Sequence, residues 1–361
     1  MTIPIANPTI SDEAKERVEA VLDSGMIADG PEVREFEREF ADYCGTDHGV
    51  ATANGTAALH AALEALGIGE GDSVLTTPFS FVATANVVRF TGADPVFADI
   101  DPETYNLDPE ATEEIARKHD VDAIMPVHLY GLPAPMGQLC ELANDLDVPI
   151  IEDAAQAHGA TYEDTRVGSI GDVACFSFYP TKNMTTGEGG MIVTDREDIA
   201  EAVAQFVNHG RTELYEHATL GHNFRMTSMA AAIGRVQLDR LPRFIESRRA
   251  NAAELNEGLA GTEVVTPTEP DGMTHAYHQY TIRTEDREGL REHLDDHDIG
   301  NSVYYPKCIH EQPAYDHLDV SAREAELAAN QVLSLPVHPS VSHDDIDRII
   351  EVIHDYDTKR D

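Results

Sequence analysis

The 361-residue chain contains only five lysines, Lys15, Lys118, Lys182, Lys307 and Lys359, and one of them sits in an unusual setting. Lys182 lies in Phe176-Ser177-Phe178-Tyr179-Pro180-Thr181-Lys182-Asn183-Met184-Thr185-Thr186-Gly187-Glu188-Gly189-Gly190, a loop between two apolar strand-like runs. A lone lysine in a loop is ordinarily a solvated charge. Here the neighbours are aromatic, small or hydroxylic, and a lysine desolvated by them has a depressed pKa and can form a Schiff base. Asp153 closes a second apolar run, Val148–Glu152. In open α/β sheets ligands bind outside the carboxyl ends of strands, which makes this carboxylate a site candidate. Taken alone, it reads as a helix cap. Asn54-Gly55-Thr56 forms a third element, between a strand-like run and an alanine-rich helix. Backbone N–H groups at a helix N-terminus make an anion site, although a plain strand–helix turn explains this segment equally well. Pyridoxal phosphate needs a lysine for the imine, an acid to keep its pyridine nitrogen protonated, and an anion cradle for its phosphate. Lys182, Asp153 and Thr56 supply each in turn.

These residues need a scaffold that brings them together. Ser11 is placed to cap a first helix, with Asp12 and Glu13 in its first turn, and Pro31 to open a second, in which Phe36, Phe40 and Tyr43 keep helical spacing. Strand-like runs follow at Val50–Thr52, Ser73–Thr77, Pro95–Asp99, Ala123–Val127 and Val148–Glu152. Helical patterns near 57–66, 84–91, 109–119 and 136–146 separate them. This alternation predicts an α/β fold, a mostly parallel sheet with helices on both faces. Two closely spaced strand runs, Val173–Phe178 and Gly190–Thr194, come next. The pattern changes near Leu241-Pro242, where a long helix over Phe244–Leu259 is expected to cross into a smaller C-terminal α+β domain. That domain reads as a strand (Tyr277–Arg283), a helix (Asp286–His297), a strand (Ser302–Tyr305) and two more helices. The expected division is a large domain over 1–245 and a small one over 246–361.

Composition narrows the function. The chain carries 25 basic and 66 acidic residues, a formal net charge of −41. A field of that sign repels nucleic acid and anionic membranes. Acid-rich, lysine-poor composition fits a protein of concentrated salt, where a Debye length of about 3 Å at 1 M screens self-repulsion. The four cysteines, at 44, 140, 175 and 308, have neither CxxC nor metal-ligand spacing and read as reduced thiols; no metal site is expected. No signal peptide or membrane-spanning run is visible, and a cytoplasmic location is expected.

The order and wording of seven segments resemble the DegT/DnrJ/EryC1/StrS family of sugar aminotransferases. They are ANGTAAL (53–59), TTPFSFVATAN (76–86), PVHLYG (126–131), IEDAAQAHGA (151–160), FSFYPTKNMTTGEGG (176–190), LGHNFRMT (220–227) and VYYPKCIHEQPAY (303–315). The resemblance spans nearly the whole chain. It implies a fold-type I pyridoxal phosphate transferase that works as a homodimer with shared sites. It further implies that Lys182 carries the Schiff base and shuttles the proton between the substrate carbon and the cofactor's C4′. Asp153 then pairs with the pyridinium nitrogen, Gln156 reaches the ring's phenolic oxygen, and Phe81 stacks on the ring. The N–H groups of Thr56 and Ala57, with the Ser177 hydroxyl, hold the phosphate, and Asn223 reaches the phosphate of the partner's cofactor. Departures from the family pattern are Asn54 before Gly-Thr, His222 in place of a tyrosine before Asn223, and no glycine within Tyr162–Thr165. His128 and His158 read as structural. Arg211, Arg225, Lys307 and His310 are candidates for binding an anionic substrate.

The implied reaction moves an amino group from an amino acid, glutamate by expectation, to a keto sugar on a nucleoside diphosphate. The loop TTGEGG leans towards amination at C4. Amination at C3 or of a keto-inositol is the alternative. A non-catalytic sensor is opposed by the complete Lys182, Asp153 and Gln156 set. An oxidoreductase is opposed by the missing dinucleotide fingerprint. Synthesis of surface glycan or glycoprotein sugars is the natural pathway.

Overall fold

A computed structural model describes residues 2–360; Met1 and Asp361, the outer bounds of the two expected domains, lie outside the described residues. Two helices, α1 (Asp12–Ser24) and α2 (Pro31–Cys44), lead the chain, with Ser11 accepting from the Ala14 N–H and Pro31 opening α2. Then follow β1 (His48–Thr52), α3 (Gly55–Ala65), β2 (Ser73–Thr76), α4 (Ala83–Thr91), β3 (Asp94–Phe97), α5 (Pro109–Lys118), β4 (Ala123–Met125), α6 (Met136–Leu146) and β5 (Ile151–Asp153). A hairpin of β6 (Thr161–Tyr162) and β7 (Thr165–Arg166) precedes β8 (Val173–Ser177), β9 (Gly190–Thr194) and α7 (Glu197–Phe206). A second hairpin, β10 (Arg211–Glu213) and β11 (Glu216–His217), leads into α8 (Ser228–Gly258). The C-terminal part holds β12 (Met273–Thr274), β13 (Tyr280–Arg283), α9 (Arg287–Asp296), α10 (Arg323–Gln331), β14 (Val332–Leu335) and α11 (His343–Arg360).

Seven strands form the central sheet in the order β3-β2-β4-β5-β8-β9-β1, with the parallel bridges Ile124–Ile150 and Val127–Asp153 joining its two halves. Only β9 runs against its neighbours. Successive side chains of a strand face opposite sides, and both sides are covered, so the strands read as continuous apolar runs. Val173, Cys175 and Ile192 meet α3, α4 and α7 on one face. Ala174, Phe176, Met191 and Val193 meet α2 and α8 on the other. Leu75, Ile124 and Ile150 pack against α5 and α6. A separate apolar cluster gathers Leu255, Tyr280, Ile282, Leu290, Leu294, Leu333, Leu335, Ile349 and Ile353.

Three elements depart from the sequence expectation. The long helix starts at Ser228, not Phe244, and continues through Pro242. Proline removes one helical hydrogen bond, but Leu238, Leu241 and Ile245 are buried on either side of it, and that packing holds the helix together. The strand expected at Ser302–Tyr305 is a single bridge from Ser302 to Ser334. The partner of β13 is instead β14, a four-residue strand that follows α10 without a break and carries no local turn signal.

A buried polar post stands at the end of β5. Glu152 and His128 are both fully buried. The Ala134 N–H donates to His128 Nδ1 at 2.9 Å, so Nε2 carries the proton and donates to Glu152 at 3.0 Å. The N–H groups of Gly168, Ile170 and Gly171 also donate to the Glu152 carboxylate, at 2.8–2.9 Å. Burial pushes this carboxyl up. The hydrogen bonds from His128 and from Gly171 and Gly168 pull it down further, leaving it below the ordinary glutamate value. Its contribution to stability is therefore present above the unfolded pKa and lost as pH falls through the lower folded one. Glu152→Ala strands four donors, of which those on His128 and Gly168 are buried and those on Ile170 and Gly171 half-buried. The expected loss is about 3–5 kcal/mol, read as a lower urea midpoint, with Asp153 next door displaced as well.

Candidate active site

The carboxyl ends of the parallel strands open into one cavity of about 750 Å³, a size suited to a cofactor-sized ligand. Asn54, Gly55, Thr56 and Ala57 from the start of α3 line it, with Ser80, Phe81 and Thr84 beyond β2. Asp153 and Gln156 beyond β5, Ser177 at the end of β8, and Lys182 and Glu188 from the β8–β9 loop complete its inner wall. His278, Gln279, Tyr304 and Tyr305 close it from the C-terminal part.

Asp153 is buried, and Thr84 Oγ1 donates to its Oδ2 at 2.8 Å. The Ala155 N–H donates to Oδ1 at 3.3 Å. Burial raises its pKa against these two donors and the nearby positive charge of Lys182. Nothing in the sequence marks Thr84; its place four residues after Ser80 carries no chemical signal until β5 is set beside it. Lys182 occupies a loop pinned on both sides. Its own N–H donates to Tyr179 O at 2.9 Å, Asn183 Nδ2 to Ala276 O at 2.9 Å, and Thr185 Oγ1 to Phe178 O at 2.8 Å. Burial pushes the Lys182 ammonium down to about 8, opposed by the Asp153 carboxylate. Only the neutral amine attacks a carbonyl carbon. The rate at which apo-protein combines with added pyridoxal phosphate is therefore expected to rise about tenfold per pH unit below pH 8 and to level off above it. Stopped-flow absorbance across pH 6–10 checks this.

At the start of α3 the fit is close. A Cβ on Gly55 would lie 2.7 Å from Ser177 Cβ, so only glycine lets the helix N-terminus reach Ser177. Asn54 caps the helix by accepting from the Ala57 N–H at 2.9 Å. The Ala57 N–H expected to face an anion is thus engaged by its own cap. Gly55 and Thr56 occupy the first two helical positions, where N–H groups have no intrahelical partner and stay available to an anion.

Gln156 accepts from the Tyr130 N–H at 2.8 Å and donates to Tyr305 Oη at 3.2 Å. Phe81 is 56% exposed and lies 6.2 Å from the Tyr305 ring. His158 is buried between Phe176 and Phe178, and burial pushes it down to about 3, so it is a neutral packing group. The expected substrate cations do not line this cavity. Arg225 donates to Asn208 Oδ1 at 2.6 Å, and Asn223 is exposed beside it. Arg211 and Lys307 are exposed. His310 is buried against Phe97, with Nε2 3.2 Å from Glu326 Oε1. Tyr305 and His278, which do reach the cavity, belong to segments whose approach to the sheet only the tertiary fold produces.

A sequence model of the DegT/DnrJ/EryC1/StrS aminotransferase family matches residues 8–354. The chain belongs to this family. It is 41% identical over 356 residues to a pleiotropic regulatory protein of Geobacillus stearothermophilus, covering 96% of this chain and 95% of that one. It is 40% identical over 349 residues to the dTDP-3-amino-3,4,6-trideoxy-alpha-D-glucose transaminase of Streptomyces venezuelae, covering 95% and 92%. Among solved structures, the PLP form of a putative sugar aminotransferase from Streptococcus pneumoniae superposes with a TM-score of 0.94 at 28% identity, over 99% of each chain. As a family member the protein is a pyridoxal phosphate-dependent aminotransferase of fold type I. The residues present fit that cofactor. The glycine-only approach of α3 to Ser177 leaves an anion cradle, and the buried Asp153 faces the same cavity as a lysine with a depressed pKa. Among the described residues no helix is long and apolar enough to cross a membrane, and the four cysteines are free thiols.

Proposed function

We propose that this aminotransferase carries an amino group from glutamate to a keto sugar linked to a nucleotide. The observation that carries the reading is the single cavity lined by Lys182, Asp153 and the open N-terminus of α3. The names of the relatives support a sugar substrate.

Bound pyridoxal phosphate supplies the electron sink that stabilises negative charge on the carbon bearing the amine. Lys182 Nζ would hold the cofactor at its aldehyde carbon. Its free amine would move the proton between the donor's α-carbon and the cofactor. Its pKa near 8 lets one nitrogen act in both directions near neutral pH. Asp153 keeps the ring nitrogen protonated, and Thr84 aims its carboxylate. The N–H groups of Gly55 and Thr56, with Ser177 Oγ, bind the phosphate. Phe81 would cover the ring face, and Gln156, beside Tyr305 in the cavity wall, would be the partner of the ring's phenolic oxygen. Asn223 and Arg225, which stand outside their own chain's cavity, serve the site of a second subunit in a homodimer. The exposed Leu214, Tyr215 and Leu220 around the β10–β11 hairpin supply apolar surface for that contact. Concentrated salt screens the −41 field against an anionic substrate.

The Thr185–Gly190 loop leans the reading towards amination at C4, with Glu188 in the cavity wall. Amination at C3 is the second reading, favoured by the name of the Streptomyces venezuelae relative. Synthesis of a surface glycan sugar is the context we infer. The test is to bleach the visible band of the purified protein with glutamate, then offer 3-keto and 4-keto nucleotide sugars separately. The C4 reading expects the 4-keto sugar to restore the band and yield an amine that NMR places at C4. Turnover of only the 3-keto sugar overturns the C4 lean; a band unaffected by glutamate overturns the donor.

A further inference from the structure

Outside that cavity, the C-terminal part brings three metal-competent side chains together. His293 lies in the last turn of α9 and His297 immediately follows it. Residues four apart stack on one helix face, and their ring centroids are 4.4 Å apart. Asp355 comes across from α11. One ligand atom from each of the three lies within 4.8 Å of the others. His293 Nε2 is 3.5 Å from Asp355 Oδ2. With metal–ligand bonds of about 2.0–2.2 Å, the donor atoms of a tetrahedral zinc stand about 3.4 Å apart. That pair is therefore already spaced for a shared ion, and a ring nitrogen of His297 lies within 4.8 Å of both donors.

The second nitrogen of His297 is arranged in the same sense. His297 Nδ1 is 2.7 Å from the His293 carbonyl oxygen. A carbonyl only accepts, so Nδ1 carries the proton and the Nε2 lone pair is left to coordinate. A histidine ligand oriented by a hydrogen bond from its other ring nitrogen to a backbone carbonyl is the usual outer-shell support of a metal site. Two imidazoles and a carboxylate select borderline divalent ions such as zinc, cobalt or nickel over magnesium and calcium. None of the three residues lines the active-site cavity.

We propose that His293, His297 and Asp355 form a zinc-class cation site that clamps the end of α9 to α11. Leu290, Leu294, Ile349 and Ile353 from the same two helices share one apolar cluster. An ion there ties together elements that already pack and raises the stability of this part of the chain. The site has three protein ligands and leaves a fourth position to water.

The test uses the full-length holoenzyme, stripped with a chelator and dialysed against zinc chloride in concentrated potassium chloride. A large excess of magnesium suppresses loose binding to the acidic surface. About one zinc per chain is expected to remain. His297→Gln and Asp355→Asn are each expected to lower zinc affinity at least about tenfold and to abolish the zinc-dependent rise in melting temperature. His343→Gln, which alters an exposed histidine paired with Glu254, is expected to bind as the parent does. Equal zinc binding by the parent and His297→Gln overturns the proposal, as does complete displacement by magnesium. Cobalt added to the unmutated protein gives an independent reading: strong tetrahedral visible bands support the site, and the weak spectrum of octahedral cobalt overturns it.

Discussion

Lys182→Ala is expected to lower kcat by about 10⁴-fold, roughly 5.4 kcal/mol in activation free energy. In the proposed mechanism the substitution removes both the amine that anchors the cofactor and the group that moves the proton. The visible band of the lysine-bound cofactor should disappear, while the far-ultraviolet circular dichroism stays unchanged. The fold should survive because the loop is held by Thr185 to Phe178 O and by Asn183 to Ala276 O, not by the lysine side chain. Lys182→Arg separates the two roles of charge and nucleophile. It restores a cation beside Asp153 but is never neutral near pH 7, and activity should remain lost. A parent-like turnover in either variant sinks the assignment of Lys182. The pH dependence of cofactor uptake gives an internal check, because its inflection near 8 should be absent from both variants.

Asp153→Asn is expected to lower kcat by about 10²–10³-fold, the range found when a preorganised electrostatic partner is removed from a reacting centre. The amide keeps the shape and can still meet Thr84 Oγ1 and the Ala155 N–H, so the protein should fold and take up cofactor. It lacks the negative charge that, in the proposed mechanism, holds a proton on the ring nitrogen. The Lys182 pKa should also fall further, because the Asp153 carboxylate opposes the burial that depresses it. Cofactor uptake would then reach its plateau at lower pH in Asp153→Asn than in the parent. Thr84→Ala is the graded companion. It removes one hydrogen bond of 2.8 Å to the carboxylate, which corresponds to about 1.5–3 kcal/mol for a charged acceptor. If Asp153→Asn leaves kcat intact, the carboxylate is a structural cap and not a partner of the cofactor.

Much of this molecule was legible along the chain. Lys182 stood out by its rarity and its apolar, hydroxylic setting, and Asp153 by its position at the end of an apolar run. Asn54-Gly55-Thr56 stood out by joining a strand to an alanine-rich helix. Strand and helix positions over the first two hundred residues follow from local periodicity, because each strand carries its own apolar run and each helix its own stripe and cap. Ser11 and Pro31 act at the helix starts their types indicate. The sheet's parallel character follows from the alternation itself, since parallel strands need a crossover between them.

What local pattern cannot carry is which segments meet. Pro242 marks a break by its own chemistry, yet α8 passes through it because Leu238, Leu241 and Ile245 are buried by partners distant in sequence. The Ala57 N–H is taken by the Asn54 cap, which leaves the Gly55 and Thr56 N–H groups for an anion. Arg225 and His310 are candidates by residue type, and Asn208 and Glu326 beside them are visible only once the chain has folded. The same holds for Thr84 behind Asp153 and for Asp355 beside His293 and His297. The sequence by itself determined the strand-and-helix scaffold and the residue types that do the chemistry, because both depend on near neighbours. The tertiary structure alone decided which cations face the cavity, what aims the Asp153 carboxylate and where three metal-competent side chains converge. Those outcomes depend on distances between residues tens to hundreds of positions apart, and no local periodicity encodes them.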